Sequence, residues 1–309
     1  SMESVQKLSH IEHVLKRPDS YVGPVDLSAE PYWILNGKKF EKKNIKYSPA
    51  LLKIFDEILV NAIDRNSLHP KNVTAISVSL DKETGAVTIE NNGPLGGIGI
   101  KFNDKENVWN PELVFGHLLT STNYDDSQKR IVGGRNGYGA KLTNIYSSEF
   151  SVVIKDHETK QTYTQKWSKN MSVCEPPKIK KHAGATSSVA VTFTPDWARF
   201  RMSKMDNSIY KIFQKRVWDA NICTSANCKV KFNGEVLPKQ NFEAYAKMHG
   251  FDKVYSATTD RWSVCVGPSE DGMQQVSFVN GICTTKGGTH VDHAASLIAS
   301  GIIEEMAKK

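Results

Sequence analysis

The sequence predicts an α+β fold, and three observations carry the prediction. Over 49–65, Leu51, Leu52, Phe55, Leu59, Ala62 and Ile63 recur at helical spacing. Residues 75–80 and 86–91 alternate apolar and polar on either side of a turn at 81–85, the pattern of a strand pair. Further strand-like runs at 150–155, 162–167 and 188–194 are followed by a second long helix at 206–223. Runs of strands beside runs of helices in one chain are the mark of that class.

Taken in order, residues 3–48 mix charged, apolar and turn residues. Within them 11–17 reads as a short helix stopped by Pro18, and 19–23 as a turn. At the long helix Ser48 is the N-cap candidate and Pro49 suits the first helical position. Glu57, Asn61 and Asp64 fall at i, i+4 and i+7 and share one face. A solvated face is the ordinary reading of such residues. Against it, 55–63 is apolar nearly all round, as in a helix buried on most sides, and an acid or amide there needs a partner or a purpose. The return strand ends at Asn91-Asn92-Gly93, where an amide either makes a turn or aims at a planar ligand. Residues 111–119 form a short helix, and Thr120-Ser121-Thr122-Asn123 either cap and turn or bind ribose or phosphate.

Four glycines then fall within seven residues, at Gly133, Gly134, Gly137 and Gly139, ahead of a short helix at 140–146. Such a loop lets backbone N–H groups approach a phosphate, or it is a flexible turn. It matches neither common template. Gly139 is followed by Ala140, Lys141 and Leu142 rather than Lys-Ser/Thr, and Leu142 stands where a dinucleotide fingerprint needs its third glycine. Beyond the second long helix, Asn233-Gly234 joins 229–232 to 235–237 as a type I′ hairpin. A short helix at 242–248, a domain boundary near 252–256, strands at 261–266 and 274–280, and a helix at 291–308 complete the reading.

The 309 residues suffice for two domains. Lys plus Arg exceed Asp plus Glu by 40 to 33, a net charge of +7, which suits a polyanionic partner or a solvated lysine surface. The basic crowds at 38–46, 178–182 and 199–216 lack the interleaved aromatics of a single-strand binder. Cys174, Cys223, Cys228, Cys265 and Cys283 include no Cys-x-x-Cys, which argues against zinc and for reduced, intracellular thiols. No signal peptide or membrane-length apolar run is present. Ser1-Met2 resembles a cleavage scar, and the end at Lys308-Lys309 a cut from something longer.

Several of these segments, in this order, closely resemble the ATPase region of eukaryotic-type type IIA DNA topoisomerases. They are 11–23, Phe55-Asp56-Glu57-Ile58-Leu59-Val60-Asn61-Ala62, 119–126, 133–141, Phe278-Val279-Asn280-Gly281 and 286–292. That family belongs to the GHKL (Bergerat) superfamily, with gyrase, heat-shock chaperones, histidine kinases and mismatch-repair ATPases. The resemblance implies a two-layer α/β sandwich, a mixed sheet covered on one face by helices. An ATPase domain would occupy 1–253, and the start of an α/β transducer domain 254–309.

The resemblance also implies roles. Glu57 would be the general base that polarises water, and Asn61 would ligate Mg²⁺. Asp64 and Asn91 would lie against the nucleotide, with Ser121, Thr122 and Asn123 near the ribose and phosphates. Gly134, Arg135, Asn136, Gly137, Tyr138, Gly139, Ala140 and Lys141 would wrap the ATP triphosphate, Arg135 and Lys141 supplying charge. The whole enzyme would use ATP to close a homodimer gate and pass one DNA duplex through another, and the setting would be nuclear, with no membrane. Three departures stand out. Pro94-Leu95-Gly96-Gly97 lengthens the motif after Gly93, and Val5 stands where the family commonly has a Tyr that reaches the partner subunit. No Gln-Thr-Lys follows Asn280, so a fragment that binds ATP and hydrolyses it slowly is expected. The rivals are a histidine kinase, disfavoured by the short stretch before His10, a nucleotide-gated clamp or chaperone with no DNA role, and a binding module without hydrolysis.

Overall fold

The computed structural model describes residues 9–118 and 139–308. Helix α1 (His10–Lys16) opens with a reciprocal capping box between Ser9 and Glu12. Strands β1 (Ser28–Asn36) and β2 (Lys39–Tyr47) pair antiparallel across the two-residue loop Gly37-Lys38. Gly37 has φ +60°, as the first central position of a II′ hairpin turn requires. This hairpin is an addition to the sequence reading, which left 24–48 without regular structure.

Helix α2 (Pro49–Leu68) is the expected long helix, with Ser48 Oγ accepting from the Leu51 N–H at 3.3 Å. Strands β3 (Ala75–Leu80) and β4 (Val87–Asn92) follow as expected. A minimal pair, β5 (Phe102–Asn103) and β6 (Val108–Trp109), leads into α3 (Asn110–Gly116), which stops three residues before the expected end. Helix α4 (Gly139–Ile145) leads directly into β7 (Ser147–Asp156), then β8 (Gln161–Ser168), β9 (Val173–Cys174), β10 (Lys178–Lys181) and β11 (Ser188–Pro195). Helix α5 (Asn207–Cys223), capped by Asp206, precedes β12 (Lys229–Phe232) and β13 (Glu235–Val236). Asn233 and Gly234 sit at φ +47° and +85°, the predicted type I′ turn. Helix α6 (Phe242–Lys247) ends this part.

One nine-stranded sheet runs in the order β10-β8-β7-β11-β4-β3-β12-β13, with β9 on the side of β8. It is mixed because β12 runs parallel to β3 while its other pairings are antiparallel. Register aligns Val78, Ile89, Val191 and Val152 in one buried row, with Phe193 and Phe150 along the same face. Helices α2, α4 and α5 bury their apolar faces in the same core, giving a two-layer α+β sandwich. The opposite sheet face is half exposed and polar, as at the Thr88–Thr192 hydroxyl pair. The lysines of β10 lie on the sheet edge, where charge blocks pairing with another strand.

The rest comprises β14 (Tyr255–Thr258) with β15 (Ser263–Val266), β16 (Phe278–Val279) with β17 (Ile282–Cys283), and α7 (Thr289–Ala307). Of the strand expected at 274–280, two residues are strand. Val276 and Phe278 pack on a second, smaller core of Phe40, Tyr245 and Met248.

Candidate nucleotide site

The polar stripe of α2 begins at Lys53 and continues through Glu57, Asn61 and Asp64. Lys53 Nζ is ion-paired with Glu57 Oε1; the lysine side chain is 48% exposed and the glutamate 18%. Asn61 is exposed and Asp64 is buried within α2. Glu57 is therefore a carboxylate that sits mostly inside the protein, yet on an edge that water reaches.

Its other oxygen meets the end of the glycine loop. A Cβ built on Gly139 would lie 1.9 Å from Glu57 Oε2 and 2.8 Å from its carboxyl carbon. A Cβ there would push the Glu57 carboxylate aside, so glycine is the residue that leaves the carboxylate against the backbone. Helix α4 is fixed in this place by Thr143, whose hydroxyl donates to the Ile54 carbonyl of α2 at 2.8 Å. Asn144 Nδ2 donates to the Phe115 carbonyl at 2.9 Å, and Tyr146 OH to the Val14 carbonyl at 2.6 Å. Ala140 and Lys141 are buried on α4, and burial lowers the Lys141 ammonium to about 8.

Asn91 comes from the sheet. Register puts it in the row Ile76, Asn91, Val189, Ile154, Tyr163, so a buried amide occupies an otherwise largely apolar row on the core face. Its Nδ2 donates to the Asn92 carbonyl at 3.0 Å. Asn92 instead turns to the neighbouring strand, where its Oδ1 accepts from the Thr74 and Ala75 N–H groups, both at 2.9 Å. The two consecutive asparagines thus do different work, the second closing the sheet and the first facing the helices.

The lengthened loop after Gly93 is tied to the same helix. Arg65 Nη2 donates to the Pro94 carbonyl, Leu95 is buried, and a Cβ on Gly96 would lie 2.8 Å from Arg65 Nη1. Ser121, Thr122, Asn123, Gly134, Arg135, Asn136, Gly137 and Tyr138, with Val5, lie outside the described residues. Among the described residues no group of three or more His, Cys, Asp and Glu could hold a metal, and the five cysteines are free. Asn61 offers one hard amide oxygen on the accessible face, a donor that fits Mg²⁺, which keeps most of its waters and takes phosphate oxygens.

No protein-family model matches the sequence. The ATPase region of Saccharomyces cerevisiae topoisomerase II superposes with a TM-score of 0.92 at 42% identity, over 99% of this chain and 81% of that one. The chain belongs to the topoisomerase II family, as its ATPase region. The ATPase and transducer domains of Balamuthia mandrillaris DNA topoisomerase II give a TM-score of 0.91 at 40% identity, over 98% of this chain and 78% of that one. The DNA topoisomerase 2 of Penicillium chrysogenum is 41% identical over 324 residues, which is 99% of this chain and 20% of that protein. The chain thus spans about a fifth of the length of such full topoisomerase II relatives.

Around these candidate residues of the topoisomerase II chain stand others that sequence reasoning passed over. Arg216 is fully buried on α5 and donates through Nε to Asp56 at 2.8 Å and through Nη1 to Asp219 at 3.1 Å. Lys215 bonds Asp219 at 2.5 Å and the Tyr245 hydroxyl at 2.7 Å. Burial pushes the Asp219 carboxyl up, but Lys215 and Arg216 pull it down further, so it titrates below its ordinary range. Arg216 Nη2 also reaches the Gly281 carbonyl at 3.5 Å. The residue next to Glu57 is thereby tied to α5, and through it to the segment beyond α6. Asp56 and Arg216 are 160 positions apart, so no local pattern announces the pair. Lys53 could have been found from its i, i+4 spacing to Glu57.

Proposed function

We propose that this chain binds ATP with Mg²⁺ and hydrolyses it, as the nucleotide-operated gate of a type II DNA topoisomerase. The observation that carries the reading is the Glu57 carboxylate, mostly buried on α2 and pressed against the backbone at Gly139 where α4 begins. Phosphoryl transfer to water needs a positioned base and an ordered cradle more than it needs covalent chemistry. Glu57 holds the attacking water and accepts its proton. Asn61, two turns after Lys53 and one after Glu57, holds Mg²⁺, whose charge offsets that of the phosphates. Asn91 and Asp64 contact the nucleotide from the sheet and the helix floor. Ser121, Thr122 and Asn123 serve the ribose and phosphates, 134–141 wrap the triphosphate, and Lys141 contributes its ammonium from α4.

In the whole protein, ATP closes a homodimer around a DNA duplex, and hydrolysis resets the gate. Residues 1–253 form the ATPase domain, and 254–309 begin a transducer. The setting is nuclear. Among the described residues no helix is long and apolar enough to cross a membrane.

The test is Glu57→Gln, which keeps the shape and removes the base. Binding of a non-hydrolysable ATP analogue should persist while turnover falls by about 10²-fold or more. Turnover near that of the unmodified protein would remove Glu57 from its role. Asn61→Ala should weaken Mg²⁺-dependent binding of the analogue in a calorimetric titration, and an unchanged isotherm would contradict the metal assignment.

A further inference from the structure

Glu57 is gripped from two sides. Oε1 is ion-paired with Lys53, one turn earlier on α2, and Oε2 lies against Gly139. As a stabiliser of α2 the ion pair is poorly arranged. The lysine is N-terminal to the glutamate, the weaker of the two i, i+4 orientations in a helix. Holding a long, half-exposed lysine on one carboxylate oxygen also costs rotamer freedom. The pair makes better sense as a constraint on the carboxylate. Thr143 ties α4 to α2 beside Gly139, and Lys53 takes the carboxylate oxygen opposite the one that meets Gly139.

We propose that Lys53 is a positioning residue for hydrolysis, holding Glu57 Oε1 so that Oε2 stays at the entry to α4. The proposal rests on Glu57 being the base, and it goes beyond that reading by assigning the orientation of the base to a neighbouring cation. Lys53 acts through Glu57 and touches neither nucleotide nor metal.

Lys53→Met and Lys53→Arg, each in the otherwise unmodified protein, provide the test by single-turnover ATP hydrolysis and calorimetric binding of a non-hydrolysable analogue with Mg²⁺. The methionine variant should hydrolyse about tenfold more slowly, the scale of a lost orienting contact, with analogue affinity within about twofold. The arginine variant, which keeps the charge and the reach, should recover to within about threefold of the unmodified rate. In a Glu57→Gln background, Lys53→Met should leave the residual rate unchanged, because the group it orients is gone. Four results would overturn the proposal: an unchanged or faster rate for the methionine variant, a tenfold loss of analogue affinity, no recovery with arginine, or a further drop in the Glu57→Gln background. Failure of the underlying reading looks different, since Glu57→Gln alone would then hydrolyse normally. Lys53 is half exposed, so the variants should fold, and an unchanged circular dichroism melt checks this directly.

Discussion

Helices α2 and α7 are 20 and 19 residues long, and both carry a run of apolar side chains at helical spacing. Their fates are opposite. Helix α2 buries Leu51, Ile54, Phe55, Leu59 and Ile63 almost completely, between the sheet, α4 and α5. Helix α7 buries none of its residues; Leu297, Ile302, Ile303 and Met306 are 62%, 56%, 66% and 71% exposed. Periodicity says that a helix forms and which face is apolar. Whether that face is covered depends on what else folds against it. The difference also divides the molecule energetically, because local opening is cheapest where few apolar contacts must break. The region around α2 should open only with global unfolding, and α7 well before it.

The sharpest way to break the comparison is to cut the core of α2. Phe55 is fully buried and stacked on Phe213, with ring centroids 4.1 Å apart and planes 8° from parallel. Phe55→Ala should cost about 3–5 kcal/mol, the range for deleting a buried aromatic ring, read from the urea midpoint. A cost below 1 kcal/mol would mean that this core collapses readily around a void.

The next effect is set by pH. His249 is buried against Trp33, Phe40 and Tyr245, and its Nδ1 pairs with the Tyr245 carbonyl at 3.1 Å. Burial, with a smaller contribution from Lys215, lowers it from 6.5 to about 4. The unfolded chain therefore takes up the proton first as pH falls, so this group's stability is full above 6.5 and is lost toward 4. The loss should approach about 3 kcal/mol at pH 4, where the unfolded imidazole is fully protonated and the folded one half so. Carboxylates titrate over the same range, so the clean readout is the difference between the protein and His249→Gln. An identical pH slope in both would show that His249 protonates freely in the fold.

Legibility in the sequence follows the same logic of partners. Helix α2 was readable down to its Ser48 cap because cap and stripe are local signals. The Asn233-Gly234 turn was readable because its chemistry is contained in two residues. The β1–β2 hairpin was missed because it buries both faces. Tyr32, Ile34, Ile45 and Tyr47 enter the main core, while Trp33, Leu35 and Phe40 enter or pack on the smaller one. Opposite faces buried in different cores leave no clean alternation, and the lysines between them read as loop. At the site, Glu57, Asn61 and Asp64 could be grouped by spacing alone, and their roles came from resemblance. The Arg65 grip on Pro94 and the Asp56–Arg216 pair depend on tertiary contacts that no local pattern contains.

A smaller effect tests how α2 begins. Ser48 is fully buried and caps Leu51 N–H, so Ser48→Ala should cost about 1–2 kcal/mol. The loss should appear in global stability rather than in fraying of the first turn, because the turn below Ser48 is already in the core. Hydrogen exchange separates the two, since fraying would speed exchange at Leu51 to Lys53 and leave the urea midpoint alone.

The smallest expected effect falls on α7. Leu297→Ala removes a side chain that is 62% exposed, and alanine is at least as good a helix former as leucine. The change in stability should stay within about 0.5 kcal/mol, as at an ordinary surface position. If instead it costs 2 kcal/mol or more, α7 is buried in solution, and the contrast with α2 disappears. Dilution then decides what buries it. A cost that fades on dilution means that a second copy covers the apolar face, because only association depends on protein concentration. A cost that does not change means that the chain covers α7 itself, and hydrogen exchange should then protect α7 as well as α2.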